Sequence, residues 1–302
     1  MDGFLVIDKP AGMTSQGVVS RVKRLLSVRK AGHTGTLDPL ATGVLPVALG
    51  KATRLIPFLD ESIKVYQGEM QLGIETDTYD IQGAVVCRHK GRLNFSRAEI
   101  EQAFMCFTGT FLQVPPVYSA LKHQGRPLYA LARSGNPVVP PPREITVSSF
   151  VLLAVELPNV VFRVHCVRGT YVRSLVHDLG HYLGCGATLT GLRREQSGPF
   201  TLNQAIDLER LQDLGEPEGF PAMLSMSSVL GSMPSVTIAD PGQLALVKTG
   251  SPLSVQEVEQ NFEQPPGTFC QILDPVGRLL AIACLVLEDD HRKLRMKRVF
   301  WQ

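Results

Sequence analysis

His33-Thr34-Gly35-Thr36-Leu37-Asp38-Pro39-Leu40-Ala41-Thr42-Gly43-Val44-Leu45-Pro46 is the stretch on which the fold and chemistry of this chain turn. Residues 31–50 hold four glycines, two prolines and three threonines, too much punctuation for a regular element at the start. The pattern predicts a shaped loop that runs into an apolar strand over residues 44–49. Pro39 biases Asp38 away from the α region and keeps its backbone extended, while the glycines let another segment approach closely. An isolated Asp-Pro step is usually only a turn initiator, so the meaning of Asp38 depends on its surroundings.

On the N-terminal side, strand-like residues 4–8 end at the turn Lys9-Pro10-Ala11-Gly12. Thr14 or Ser15 then caps a helix whose apolar stripe is Val18, Val19, Val22, Leu25 and Leu26. On the C-terminal side, residues 64–72 alternate, with Tyr66, Gly68, Met70 and Leu72 on one face, so Tyr66 points toward the apolar side. Ser96 and Glu99 form a capping box before Ile100, Ala103, Phe104 and Phe107. A proline-rich basic stretch with Lys122, His123, Arg126, Arg133 and Arg143 is expected to be an insertion or arm over residues 110–145. The alternating Val160, Phe162, Val164 and Cys166 lead into Arg168-Gly169-Thr170-Tyr171-Val172-Arg173. A helix follows with Val172, Leu175, Val176 and Leu179 inward, stopping near Gly184. Residues 211–233, rich in Gly, Pro and Ser, are expected to be a linker. Short strands over 269–273 and 279–287, joined by Asp274-Pro275-Val276-Gly277, predict a small β-rich unit over 234–302.

With 302 residues, 44% apolar and 19% charged, the chain can bury one large core, or a main domain with a small satellite, and composition excludes disorder. No apolar stretch reaches the roughly 18 residues needed to span a bilayer, so a soluble, cytoplasmic protein without a membrane partner is expected. The six cysteines are widely spaced, without a C-x-x-C or a metal-ligand spacing, which predicts reduced, buried thiols and no metal. The net charge of +2 is uneven. Residues 1–60 carry eight Lys/Arg against four acids, and the run His291-Arg292-Lys293-Leu294-Arg295-Met296-Lys297-Arg298 is also basic. Either patch suits a polyanion, because Lys and Arg near phosphates release counterions, and either is equally compatible with an ordinary solvated surface.

The quoted loop resembles the signature of the TruB-type pseudouridine synthases, the family that also contains the dyskerin-like enzymes of eukaryotes and archaea. Further blocks carry the same resemblance in order along residues 3–200: Asp8-Lys9-Pro10-Ala11-Gly12-Met13-Thr14-Ser15, Lys51-Ala52-Thr53-Arg54, Lys64-Val65-Tyr66, Gly73-Ile74-Glu75-Thr76-Asp77-Thr78-Tyr79-Asp80, Pro116-Val117-Tyr118-Ser119-Ala120-Leu121-Lys122, Arg168-Gly169-Thr170-Tyr171-Val172-Arg173-Ser174-Leu175 and Leu192-Arg193-Arg194. The resemblance implies an α/β (α+β) pseudouridine synthase fold with a mixed, largely antiparallel central sheet over residues 1–210. It also implies a small C-terminal β-barrel of PUA type over 234–302, an RNA-binding accessory without chemistry of its own. The implied reaction converts a uridine of the tRNA T-loop, position 55, to pseudouridine. That product is an isomer, so no redox cofactor or metal is expected.

Residue by residue, Asp38 matches the essential aspartate, whose carboxylate either attacks the ribose C1′ or supports a glycal-forming elimination there. Tyr66 matches the tyrosine that packs on the base and is a candidate for proton transfer. Arg173 matches an arginine that pairs with the catalytic carboxylate, with Tyr171 beside it, and Leu192 matches an apolar residue of the base pocket. A uridine in folded RNA has to leave its stack to be reached, and His33 matches the histidine that fills the vacated space. Lys9 with Arg21, Arg24 and Arg29 is expected on the phosphate backbone, and Lys122 and Arg126 on the arm that bacterial members use to clasp RNA. The arm implies the stand-alone bacterial branch, a monomer that needs tRNA and no obligatory protein partner. Asp77 and Asp80 also raise a paired-carboxylate hydrolase, but no second feature supports a sugar-cleaving pair. An RNA binder without chemistry is the other rival, and Asp38, Tyr66 and Arg173 together argue against it.

Overall fold

The computed structural model describes residues 1–60, 62–213, 223–258, 262–288 and 290–301. The strand Gly3–Lys9 is apolar nearly throughout and buried on both faces, as a strand deep inside a layered fold must be. Its alternation sorts the two faces: Leu5 and Ile7 enter the principal core, whereas Phe4 and Val6 enter a second one. The neighbouring strand Thr42–Leu49 divides likewise, Leu45, Val47 and Leu49 to the first core and Val44 and Ala48 to the second. Together these strands are the partition between two hydrophobic layers.

The main sheet has ten strands. Its order runs Ala205–Ile206, Gly3–Lys9, Thr42–Leu49, Ala187–Ser197, Ile63–Leu72, Asn159–Val167, Arg143–Glu156 and Gly109–Gln113, with Ala31–His33 and Phe200–Thr201 attached at the side. Two of its pairings are parallel, Gly3–Lys9 with Ala205–Ile206 and Thr42–Leu49 with Ala187–Ser197, and the rest are antiparallel. The expected mixed, largely antiparallel α/β architecture is therefore present.

Three longer helices and the short helix Leu208–Asp213 cover the first face. Ser15–Leu25 begins where the Thr14 hydroxyl accepts the Gly17 N–H at 3.0 Å, and it buries Val18, Val19 and Val22. Arg97–Cys106 begins with the Ser96–Glu99 capping box and buries Ile100, Ala103 and Phe104. Val172–Tyr182 buries Val172, Leu175, Val176 and Leu179 and ends before Gly184, whose φ of 72° closes the helix.

The C-terminal unit is a curled half-barrel of five strands, ordered Ser235–Thr237, Phe269–Leu273, Leu279–Glu288, His291–Val299 and Leu253–Ser254. It is docked on the main sheet, because Val229, Leu230, Leu279, Ile282 and Phe300 share the second core with Phe4, Val6 and Val44. Lys51 and Arg54 add hydrogen bonds to the carbonyls of Trp301 and Val299, at 3.3 and 2.9 Å.

Three sequence expectations change here. The arm expected over 110–145 begins and ends in sheet strands, Gly109–Gln113 paired with Arg143–Glu156, so only residues 114–142 lie outside the main sheet. The Gly/Pro-rich centre of the expected linker lies outside the described residues, but its flanks are packed: Leu211 is buried and Leu224 bridges to Phe4. Of the six free cysteines, Cys87 and Cys106 are exposed and not buried, because their strand and helix turn those positions to solvent. No described helix is long and apolar enough to cross a membrane.

Candidate active site

Asp38 sits on the loop between Ala31–His33 and Thr42–Leu49, and the structure shows what shapes that loop. The Ser15 hydroxyl, at the start of the first helix, donates to the Leu37 carbonyl at 3.0 Å and accepts the Leu37 N–H at 2.8 Å. The Pro39 carbonyl accepts from the Gly12 N–H at 2.8 Å and from Lys9 Nζ at 3.3 Å. The end of the first strand, the turn after it and the start of the first helix thus grip both neighbours of Asp38.

A third grip comes from Arg194, whose guanidinium is fully buried. It donates to the carbonyls of Val44 at 2.8 Å, Gly35 at 3.1 Å and Thr36 at 3.5 Å. Register explains its position: Gly43 pairs with Arg194, and Arg194 with Tyr66, which pairs with Val164, so one row crosses four strands. Side chains in one row share a face, which sets Tyr66 beside the Asp38 loop. Gly43 is required in that row, since a Cβ there would lie 2.2 Å from the Arg194 carbonyl oxygen.

Arg173, one residue into its helix, makes a two-pronged pair with Asp38. Its Nε lies 2.9 Å from Oδ2 and its Nη2 donates to Oδ1 at 3.2 Å. The same guanidinium donates to the carbonyls of Thr78 at 2.9 Å and Tyr118 at 3.0 Å and lies 3.5 Å from the Asp80 carboxylate. Arg173 retains 6% of its side-chain exposure and Asp38 retains 38%. A fixed, buried fork therefore presents a carboxylate that a substrate can reach. Asp80 is itself held, accepting from the Thr78 hydroxyl at 2.8 Å and the Gln82 N–H at 3.0 Å.

The aromatic residues gather around this pair. Burial raises the Tyr66 phenol above its ordinary pKa against the opposing pull of Arg194, which hydrogen-bonds it, with a smaller contribution from Asp38 in the upward direction. It is a neutral donor at neutral pH. Burial also raises Tyr171, with Asp38 pushing the same way and the nearby Ser119 hydroxyl opposing. The Tyr171 backbone is clamped at both ends by the Gln113 amide, at 2.8 and 3.1 Å. Leu192, half-buried opposite Gly68, accepts from the Thr42 hydroxyl at 3.5 Å through its carbonyl. His33 is half-buried opposite Val47, at the entry to the loop.

Lys9 departs from expectation. It is fully buried, with Nζ on the Pro10 and Pro39 carbonyls, so it supports the Asp38 loop from beneath and is not a surface phosphate contact. Burial lowers its pKa to about 8, against the attraction of Asp38 and with the help of Arg194. Lys122 lies exposed in the small hairpin Lys122–His123 with Arg126–Pro127, outside the Asp38 cluster. Arg24 and Arg29 are exposed and Arg21 is half-buried.

Nothing in the sequence assigns Ser15, Asp80, Tyr118 or Arg194 to holding the Asp38 loop or the Arg173 guanidinium. All four lie in the quoted blocks, but a contact to a segment far along the chain leaves no periodic signal.

Two family models match the chain: the N-terminal domain of the TruB family pseudouridylate synthases over residues 23–172 and the C-terminal domain of tRNA pseudouridylate synthase B over 173–221. The tRNA pseudouridine synthase B of Geobacter sulfurreducens is 47% identical over 99% of this chain and 100% of its own length. That of Burkholderia pseudomallei is 40% identical, covering 94% of this chain and 93% of its own. Among solved structures, a chain of a Cbf5-Nop10-Gar1 complex superposes with a TM-score of 0.75 at 31% identity, over 98% of this chain and 84% of that one. A chain of an H/ACA RNP bound to a substrate RNA containing 2'-deoxyuridine gives 0.74 at 30%, over 99% and 85%. With its motifs, its sheet and its Asp38–Arg173 pair in one place, the chain belongs to the TruB family of pseudouridylate synthases.

Proposed function

We propose that this protein isomerises uridine to pseudouridine in the T-loop of tRNA, at position 55, with Asp38 acting at the ribose C1′. The observation that carries this reading is the reachable Asp38 carboxylate on the buried Arg173 fork. The N1–C1′ bond of the target uridine breaks, the base turns while still held in the pocket, and a C5–C1′ bond replaces it. The hydrogen at C5 leaves as a proton and N1 takes one up, so atoms and electrons balance and the product is an isomer. Arg173 fixes the direction of the carboxylate through one hydrogen bond and the ion pair at Nε, and it resists displacement because its guanidinium also donates to the carbonyls of Thr78 and Tyr118. Tyr66 packs against the base and offers a neutral phenol for proton transfer. Tyr171 and Leu192 wall the pocket, and His33 occupies the space that the flipped base leaves in the RNA stack.

Affinity is assigned to the exposed cations Arg24 and Arg29 and to the hairpin with Lys122 and Arg126, which suit a phosphate backbone. The C-terminal half-barrel, with the basic strand His291–Val299, is read as a PUA-type RNA-binding accessory following residues 211–233, and residues 1–210 as the catalytic domain. The protein is proposed to act in the cytoplasm as a monomer without an obligatory protein partner.

The test is tritium release from tRNA labelled at C5 of uridine, with wild type and Asp38→Asn compared at equal folded concentration. Wild type is expected to release about one equivalent per tRNA, and Asp38→Asn to retain tRNA binding with release reduced by at least ~10⁴-fold, the scale of losing a nucleophile. Free uracil in place of retained base would indicate a hydrolase, and binding without release by wild type would indicate an RNA binder.

A further inference from the structure

Glu75, His177 and His181 form a cluster on the far side of the Arg173 helix contacts, outside the proposed chemistry. Their three ligand atoms lie within 4.8 Å of one another. His177 and His181 are four residues apart on Val172–Tyr182, hence on one face, and Glu75 reaches them from the short strand Ile74–Thr76. Neither the cysteine spacing nor the isomerisation chemistry, on which the expectation of no metal rests, bears on this histidine pair.

The surroundings of each donor are those of a built site. The His181 Nδ1 lies 3.1 Å from the His177 carbonyl, which can only accept, so Nδ1 is the donor there and Nε2 is the atom directed at Glu75 Oε1, 3.8 Å away. That is the outer-shell arrangement by which proteins aim a ligating imidazole. The His177 ring is fixed by stacking on Tyr79, with centroids 3.8 Å apart and planes 12° apart. Its Nδ1 is buried without a hydrogen-bond partner among the described residues, a costly state for a polar ring atom. The Glu75 carboxylate has its space reserved: a Cβ on Gly186 would lie 2.4 Å from Oε1.

We propose that Glu75, His177 and His181 bind one first-row divalent cation, zinc foremost, which staples the 74–80 turn to the helix that carries Arg173. Two imidazoles and one carboxylate are a donor set that zinc accepts in tetrahedral sites, with water as the fourth ligand. Bonds of about 2.0–2.2 Å require the donors to draw together slightly, which the exposed His181 and the end of Glu75 permit by rotation. The site lies next to the chemistry without being part of it. Thr78, in the stapled turn, accepts from Arg173, and Tyr79, the next residue, stacks on His177. Bound metal therefore holds the Arg173 scaffold and leaves Asp38 open.

The test titrates the metal-free full chain with Zn²⁺ by calorimetry and with Co²⁺ by visible absorption, alongside His181→Ala and Glu75→Gln. His181 is exposed, so its replacement leaves the fold intact, as circular dichroism will verify. Wild type is expected to bind one Zn²⁺ per chain, to show Co²⁺ d–d bands of a four-coordinate nitrogen–oxygen site, and to melt at higher temperature with Zn²⁺ than without. Each variant is expected to bind at least ~10- to 100-fold more weakly, with loss of the Co²⁺ bands, since even outer-shell changes cost that much. No stoichiometric binding by wild type, or equal affinity in wild type and both folded variants, would overturn the assignment.

Discussion

Lys9 shows how a residue can be placed correctly in a motif and given the wrong physical task. Its position after the first strand is legible, but a lysine in a turn is usually solvated, and only the three-dimensional course of the Asp38 loop buries it under Pro39. Burial lowers its pKa from 10.5 to about 8. Between those values the unfolded chain holds a proton that the folded chain has released, so stability gained from this group rises with pH across that window and is absent below it. Compared with Lys9→Met, the wild type is expected to gain on the order of 2–3 kcal/mol in unfolding free energy between pH 8 and pH 10.5, measured by urea denaturation. A constant difference across that range would show that Nζ is solvated. Asp38, Tyr66 and Arg173 were legible as a set because their motifs name them. The Arg173 contacts to Thr78, Asp80 and Tyr118 were not, because each joins segments tens of residues apart.

At the scale of elements, the strand row Gly43, Arg194, Tyr66 and Val164 decides the site. Gly43 has φ of 95°, a region that side chains disfavour, and its missing Cβ leaves room for the Arg194 backbone at 2.2 Å from where that atom would be. Gly43→Ala is therefore expected to cost at least about 3 kcal/mol, from backbone strain together with overpacking, and to loosen the Arg194 grip on the loop. Chemical denaturation checks the first and tritium release the second. Stability within about 0.5 kcal/mol of wild type would mean that the two strands separate without penalty. The helices were legible element by element, since Thr14 and Ser96 cap where the sequence places them and the apolar stripes face inward. The two strands that bound the arm were not, because Gly109–Gln113 lacks a strong alternation and forms by pairing with Arg143–Glu156.

Across the whole molecule, the second core ties the C-terminal sheet to the strands Gly3–Lys9 and Thr42–Leu49 of the main one. Phe300 is 2% exposed in that core, so Phe300→Ala is expected to cost about 3–5 kcal/mol. Trp301, the single tryptophan, lies beside Lys248, whose Nζ is 5.6 Å from the ring centroid, and so reports on the C-terminal unit. In wild type its fluorescence and the far-ultraviolet circular dichroism are expected to melt together, as one cooperative unit. In Phe300→Ala the fluorescence transition is expected first. Separate transitions already in wild type would show that the shared core does not couple the units.

The sequence by itself determined the helices with their caps, the alternating strands, the loop that carries Asp38 and, through its ordered motifs, the family and the three residues of the proposed chemistry. Those features are local or are written in residue types, so short stretches suffice to specify them. The tertiary structure alone decided the burial of Lys9, the grip of Arg194 on the loop carbonyls, the fourfold hold on Arg173, the docking of the half-barrel and the meeting of Glu75 with His177 and His181. Each of these depends on sheet order and register, which bring together residues far apart in the chain, and no periodicity along one segment records where another will lie.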